Sequence, residues 1–199
     1  MTEPTNMLLW LDLESTGLDT SNGDEIIEVG CILTTEDLRT LSEFTAVVKP
    51  SDKAMARLFD NKFLVDMHTA NGLLGAIGRG RSIAQVEFDL LLWLRSLGVS
   101  AKIWGHDVPT APKLTLAGSG VGHFDLPTVR VHMPKLAELL NYYVIDVGTI
   151  RRAHDMWVGT PVSAANDAKT HRAIDDIHCH LEEARAFQNL WRETQLESD

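Results

Sequence analysis

The stretch LLWLDLESTGLD, residues 8–19, runs an apolar segment straight into two carboxylates, Asp12 and Glu14. Side chains alternate faces along a strand, so residues two apart point the same way. Two like charges held that close repel. Desolvation at the end of an apolar strand adds to the cost and raises at least one pKa unless something positive lies between them. Further along stand Asp125 in GVGHFDLP, and His171 followed by Asp175 and Asp176 in HRAIDD. Each alone has an ordinary reading, as a helix cap or as part of a solvated face in a chain with 28 Asp and Glu. The combination is more specific. Asp-x-Glu on a strand, an Asp opening a later helix, and His followed five residues on by Asp match the ligand set of two hard divalent cations.

The elements that must position these groups are legible in part. A strand is expected over residues 7–13, followed by a turn at Thr16-Gly17, a second strand in IIEVGCIL from Ile26, and a third over 44–48. These three lie close enough in sequence to form an antiparallel meander. Residues 52–68 read as helical in pieces. Apolar positions Val86, Leu90, Leu91, Trp93, Leu94 and Leu97 predict an amphipathic helix over 82–97, stopped at Gly98. A strand over 113–117 then runs into a Gly-rich segment, with a helix starting near Asp125. Further helices are expected over 134–140, 146–157 and 171–192, the last with Ala173, Ile177, Leu181, Ala184, Phe187 and Trp191 inward. The order predicts an α/β fold, a mixed sheet covered by helices.

Composition bounds the partners. The chain has 199 residues, 44% of them hydrophobic, and no apolar run of membrane-spanning length, so one domain with an ordered core over about 7–192 and no membrane span is expected. MTEPTNM lacks a secretory pattern, which points to the cytoplasm. The two cysteines, Cys31 and Cys179, imply no disulfide framework. A net charge of −10 disfavours long duplex nucleic acid, whose binding rests on many basic contacts. A short anionic substrate held by metal ions and a few donors remains compatible with it. Trp10, Trp93, Trp104, Trp157 and Trp191 are expected to pack rather than to stack on bases. A zinc tract at His178-Cys179-His180 is disfavoured, because residues two apart on a helix face different sides.

Asp12-x-Glu14-x-Thr16-Gly17-Leu18, then Asp125, then His171 with Asp176, resembles the DEDDh superfamily of 3′-to-5′ exonucleases, and within it the oligoribonuclease family. The narrower likeness rests also on IIEVGCILTTEDL, the segment from His68 to Leu73, Met133-Pro134-Lys135-Leu136, YYVIDVGTI at 142–150 and HRAIDDIHCHLEEAR. The resemblance implies an RNase H-like mixed sheet, meander plus parallel strands, flanked by helices. It further implies two Mg²⁺ or Mn²⁺ ions held by Asp12, Glu14, Asp125 and Asp176, with Asp12 bridging and His171 taking a proton from water. Asp175 would be solvated or lie behind the ligands. Histidine suits the base because its ordinary pKa lies near working pH.

By the same resemblance Leu18 would wedge between the terminal bases. Phe63 stands where the family carries a stacking tryptophan, although a core position is the competing reading. His68, Ser119 and Tyr142 complete the expected substrate contacts, with Tyr142 reached from the partner subunit of a homodimer. Tyr143 stands where an arginine is expected, and a phenol does not replace a guanidinium fork on phosphate. The activity implied is hydrolysis of short single-stranded RNA to mononucleotides. A single-stranded DNA exonuclease of the proofreading kind, and a relative that binds without cleaving, remain open.

Overall fold

The computed structural model describes residues 7–99, 114–160, 162 and 170–196. Strands β1 (Met7–Ser15), β2 (Ile26–Thr35) and β3 (Thr40–Val47) form the expected antiparallel meander. Strands β4 (Leu114–Gly118) and β5 (Leu140–Asp146) extend it in parallel from the other side of β1, giving the order β3-β2-β1-β4-β5. The fold is therefore α/β with a mixed sheet, as the order of elements implied.

Alternation along β1 divides the core. Leu9, Leu11 and Leu13 face a cluster with α4 (Ile83–Ser96), α5 (Asp125–His132) and α6 (Pro134–Ala137). Leu8 and Trp10 face the opposite cluster, with Val147 of α7 (Val147–Trp157) and Ile177, Leu181 and Phe187 of α8 (Ala173–Leu196). A third cluster joins Ile27 to α1 (Asp52–Asp60) through Leu58 and to α3 (Leu73–Ile77) through Leu73 and Ile77, with Leu64 and Val65 of α2 (Lys62–Ala70) packed against it. Helix α4 starts where Ser82 and Gln85 cap each other's backbone N–H reciprocally. Trp10 is wholly buried and its indole donates to Thr34 Oγ1 at 3.1 Å.

Several boundaries differ from expectation. The helix expected over 134–140 ends at Ala137, and Leu140 instead opens β5, because pairing with β4 outweighs the local helical pattern. The third strand starts at Thr40, four residues early, along an exposed edge without an apolar signature. Trp157 is 80% exposed and is not the packing residue it was expected to be, whereas Trp191, 51% exposed, keeps one side against the buried Phe187, with ring centroids 5.9 Å apart. Trp104, His106 and Asp107 lie outside the described residues. Among the described residues, no helix is long and apolar enough to cross a membrane.

Candidate active site

The alternation that buries Leu8 and Trp10 against α8 carries Asp12 and Glu14 onto the same face one step further. The strand ends in an irregularity between Glu14 and Ser15, and in the turn beyond Gly17 sits hard against Asp24. A Cβ on Gly17 would fall 2.3 Å from the Asp24 carboxylate, itself held by Arg57 at 2.9 Å. Close packing of β2 on α8 then brings the C-terminal helix to these carboxylates. A Cβ on Gly30 would lie 2.8 Å from the Ala173 backbone.

The result is a cluster in which Glu14, His171 and Asp176 each offer a ligand atom within 4.8 Å of the others. Glu14 and Asp176 are buried, and His171 is half-buried just ahead of α8. Asp125, the first residue of α5, is 5% exposed. Its pKa is raised well above the usual carboxylate range, first by burial and then by the charge of Asp12, with Asp146 adding to it. Asp125 is thus electrostatically close to Asp12, which stands two residues before Glu14 on β1, while the ligand atoms found within 4.8 Å of one another are those of Glu14, His171 and Asp176. Asp175 is exposed and accepts from Thr170 Oγ1 at 3.0 Å. Buried carboxylates with one imidazole suit a hard divalent cation, which would supply the positive charge that the Asp12–Asp125 neighbourhood calls for.

A protein cation answers part of the conflict in the opening stretch. Glu14 and Glu28 are cross-strand partners, a repulsive arrangement for like charges. Glu28 is 1% exposed, and Arg172 grips it through Nη2 at 2.6 Å and Nε at 3.1 Å. The Ala173 backbone N–H donates to the other oxygen at 3.0 Å. The Glu28 hydrogen bond, against the cost of burial, raises the Arg172 pKa further, with Glu14 contributing. Neither Glu28 nor Arg172 was singled out in the sequence, although a glutamate within a strand otherwise wholly buried and largely apolar is a signal that a partner must exist.

The expected substrate residues divide by exposure. Leu18, Phe63 and Tyr142 are 81%, 68% and 88% exposed, so Phe63 is not a core residue. Tyr142 meets Tyr143 edge to face, with ring centroids 5.1 Å apart. Ser119 is half-buried after β4. His68 lies beneath the cluster, its side chain wholly buried and Nε2 4.0 Å from Glu14 Oε2. Burial lowers the His68 pKa, which favours the neutral ring, so this is a polar contact rather than an ion pair. His178 is paired with Glu43 at 3.2 Å, whereas His180 is buried.

A family model described as exonuclease (RNase T) matches residues 9–60. The oligoribonuclease of Cutibacterium acnes is 31% identical over 189 residues, covering 94% of this chain and 85% of that protein. The mitochondrial oligoribonuclease of Mus musculus is 31% identical over 186 residues, 92% of this chain and 72% of its own length. The chain belongs to the oligoribonuclease family. It is accordingly a 3′-to-5′ exoribonuclease of the DEDDh superfamily. Among solved structures, exonuclease I of Methylocaldum szegediense aligns with a TM-score of 0.59 at 17% identity, over 92% of this chain and 40% of that one. A 3′-exonuclease described in recognition of a histone mRNA stem-loop aligns at 0.58 and 16%, over 91% and 63%. At such identities these neighbours establish the RNase H-like fold alone; the chain spans about two fifths of exonuclease I.

Proposed function

We propose that the chain hydrolyses short single-stranded RNA from the 3′ end to mononucleotides, with two divalent cations, Mg²⁺ or Mn²⁺, held by Asp12, Glu14, Asp125 and Asp176. The observation that carries this reading is the meeting of Glu14, His171 and Asp176 ligand atoms within 4.8 Å, beside a buried Asp125 whose charge is disfavoured by Asp12. When bound, such ions supply a nucleophile near neutral pH and relieve charge on the leaving oxygen. The remaining work falls to the protein. Asp12, Glu14, Asp125 and Asp176 would hold the ions, with Glu14 and Asp176 the carboxylates beside His171. His171, half-buried at the edge of the cluster, would accept a proton from that water. His68, buried beneath Glu14 and favoured in its neutral form, would leave that carboxylate free of a competing protein cation. Exposed Leu18 and Phe63 would separate and stack the last bases, with Ser119 and Tyr142 in the polar cap on the 5′ phosphate, Tyr142 contributed by the second subunit of a homodimer. One catalytic domain acting in the cytoplasm completes the proposal.

The deciding experiment is a time course with 5′-labelled RNAs two and seven residues long, and matched DNA, in Mg²⁺, Mn²⁺ and chelator. Metal-dependent loss of the dinucleotide faster than of the longer RNA or the DNA is the expected result. Accumulation of the dinucleotide while longer strands shorten would replace short-RNA preference by general single-strand exonuclease activity. No metal-dependent cleavage of any strand would refute the catalytic assignment.

A further inference from the structure

His171 is held in a backbone conformation, φ +52°, that L side chains rarely adopt. Such a conformation persists only where the surroundings over-determine it. The surroundings here are Asn71, at the C-terminal cap of α2 immediately before α3. Its side-chain amide donates to the carbonyl of His171 at 2.5 Å and faces that of Thr170 at 3.4 Å. At the other end of the same carboxamide, Oδ1 accepts from the Leu73 N–H at 3.0 Å. Carbonyls on one side and an N–H on the other define which end is nitrogen. The Asn71 backbone is tied too: its N–H donates to Met67 O at 3.1 Å, and its carbonyl accepts from Arg172 Nη1 at 3.4 Å. Arg172 is anchored in turn on Glu28.

We infer that Asn71 is a positioning residue of the reaction, whose carboxamide locks the Thr170–His171 backbone so that the imidazole stays beside Glu14 and Asp176. The inference rests on the reading of His171 as the base. It also joins the two halves of the site. Helix α2 carries Phe63 and His68, so the bond across 100 residues of sequence ties the substrate-side helix to the loop bearing the base. Without the amide, the loop loses the partner that offsets its left-handed turn, and His171 relaxes away from the carboxylates while metal and substrate contacts elsewhere remain. The predicted signature is therefore in kcat and not in KM.

The test is a double-mutant cycle on the full chain in Mg²⁺ with a short RNA, comparing Asn71→Ala, His171→Ala and the pair, with kcat and KM from steady-state initial rates over a range of RNA concentrations. Asn71→Ala is expected to lower kcat about 10- to 100-fold, the usual effect of losing a group that orients a reacting residue, with KM within about twofold. Introduced on His171→Ala, it should cost nothing further. Asn71→Ser is the companion variant, because its hydroxyl can still cap the Leu73 N–H while the amide donor is lost; it should show the same kcat loss with an unchanged Tm. An Asn71→Ala or Asn71→Ser kcat within twofold of the parent overturns the proposal, as does an equal loss in the His171→Ala background. Full activity of His171→Ala itself would instead remove the base reading on which the proposal stands.

Discussion

Glu28→Ala is the perturbation that most directly probes how the site is held. Removing the carboxylate leaves the Ala173 N–H, buried at the start of α8, without its acceptor, which costs about 1–3 kcal/mol. The Arg172 guanidinium loses its fork, but its side chain is 33% exposed, so water takes over part of the role. The loss is therefore smaller than the ~3–5 kcal/mol of breaking a fully buried pair. Relief of the cross-strand repulsion with Glu14 returns roughly 0.2–1 kcal/mol. With the partial loss at Arg172 and the relieved repulsion roughly offsetting, the net expectation is a destabilisation of about 1–3 kcal/mol, or a Tm lower by roughly 2–12 °C for a chain of this size. Urea unfolding followed by far-UV circular dichroism in chelator measures it without a metal contribution. The burial difference also orders two variants. Arg172→Ala strands a carboxylate that is 1% exposed, so it should destabilise more than Glu28→Ala does. A Glu28→Ala loss under 1 kcal/mol, or the reverse order, would refute the account of Arg172 as the internal counter-charge.

Asp125→Asn separates stability from function. A carboxyl whose folded-state pKa is raised weakens the fold at neutral pH, so the neutral isostere should be at least as stable as the parent in chelator. It should lose most of the Tm gain on adding Mg²⁺, a gain of about 2.7 kcal/mol when the ion is at a hundred times its Kd, together with most of the activity. A variant destabilised by more than ~1 kcal/mol in chelator would show that the Asp125 charge is compensated by the protein itself. Phe63→Ala should leave urea stability within about 0.5 kcal/mol, because the ring is 68% exposed. As a base platform the ring is worth about 1–3 kcal/mol, so kcat/KM on RNA should fall on the order of 5- to 150-fold; an unchanged value would remove Phe63 from the substrate site.

The central strands and α4 were legible because they are buried enough to write their periodicity into the sequence. Strand β2 is buried along its whole length, and α4 repeats Val86, Leu90 and Leu94 on one side. The edges were not. Residues 40–45 of β3 are exposed or half-buried, and β5 is buried only at Leu140, so neither alternates apolar with polar strongly enough to be seen. Leu136, Leu139 and Leu140 after Pro134 read as one helix, yet Leu136 and Leu140 are buried from different elements, α6 and β5. Pairing with β4, a tertiary interaction, sets that boundary.

At the site, the Asp-x-Glu parity survived because it needs only a period of two along β1, and the structure keeps that period from Leu8 to Glu14. The His-to-Asp spacing was less decidable, since counting from a helix begun at 171 leaves Asp175 and Asp176 equally able to reach its mouth. The helix begins instead at Ala173, after a left-handed His171, so Asp176 shares the buried side with Ala173 and Ile177 while Asp175 turns to solvent. The remaining ambiguity lay in Glu28. By residue type and by face it is indistinguishable from Glu14, its own cross-strand partner. What separates them is a guanidinium 144 residues away in sequence, which meets Glu28 and leaves Glu14 in the cluster with His171 and Asp176. Two like carboxylates on one sheet face therefore take different fates through a single arginine next to the base, so Arg172→Ala should disturb the ligand cluster through Glu28 as well as through the loop that bears His171.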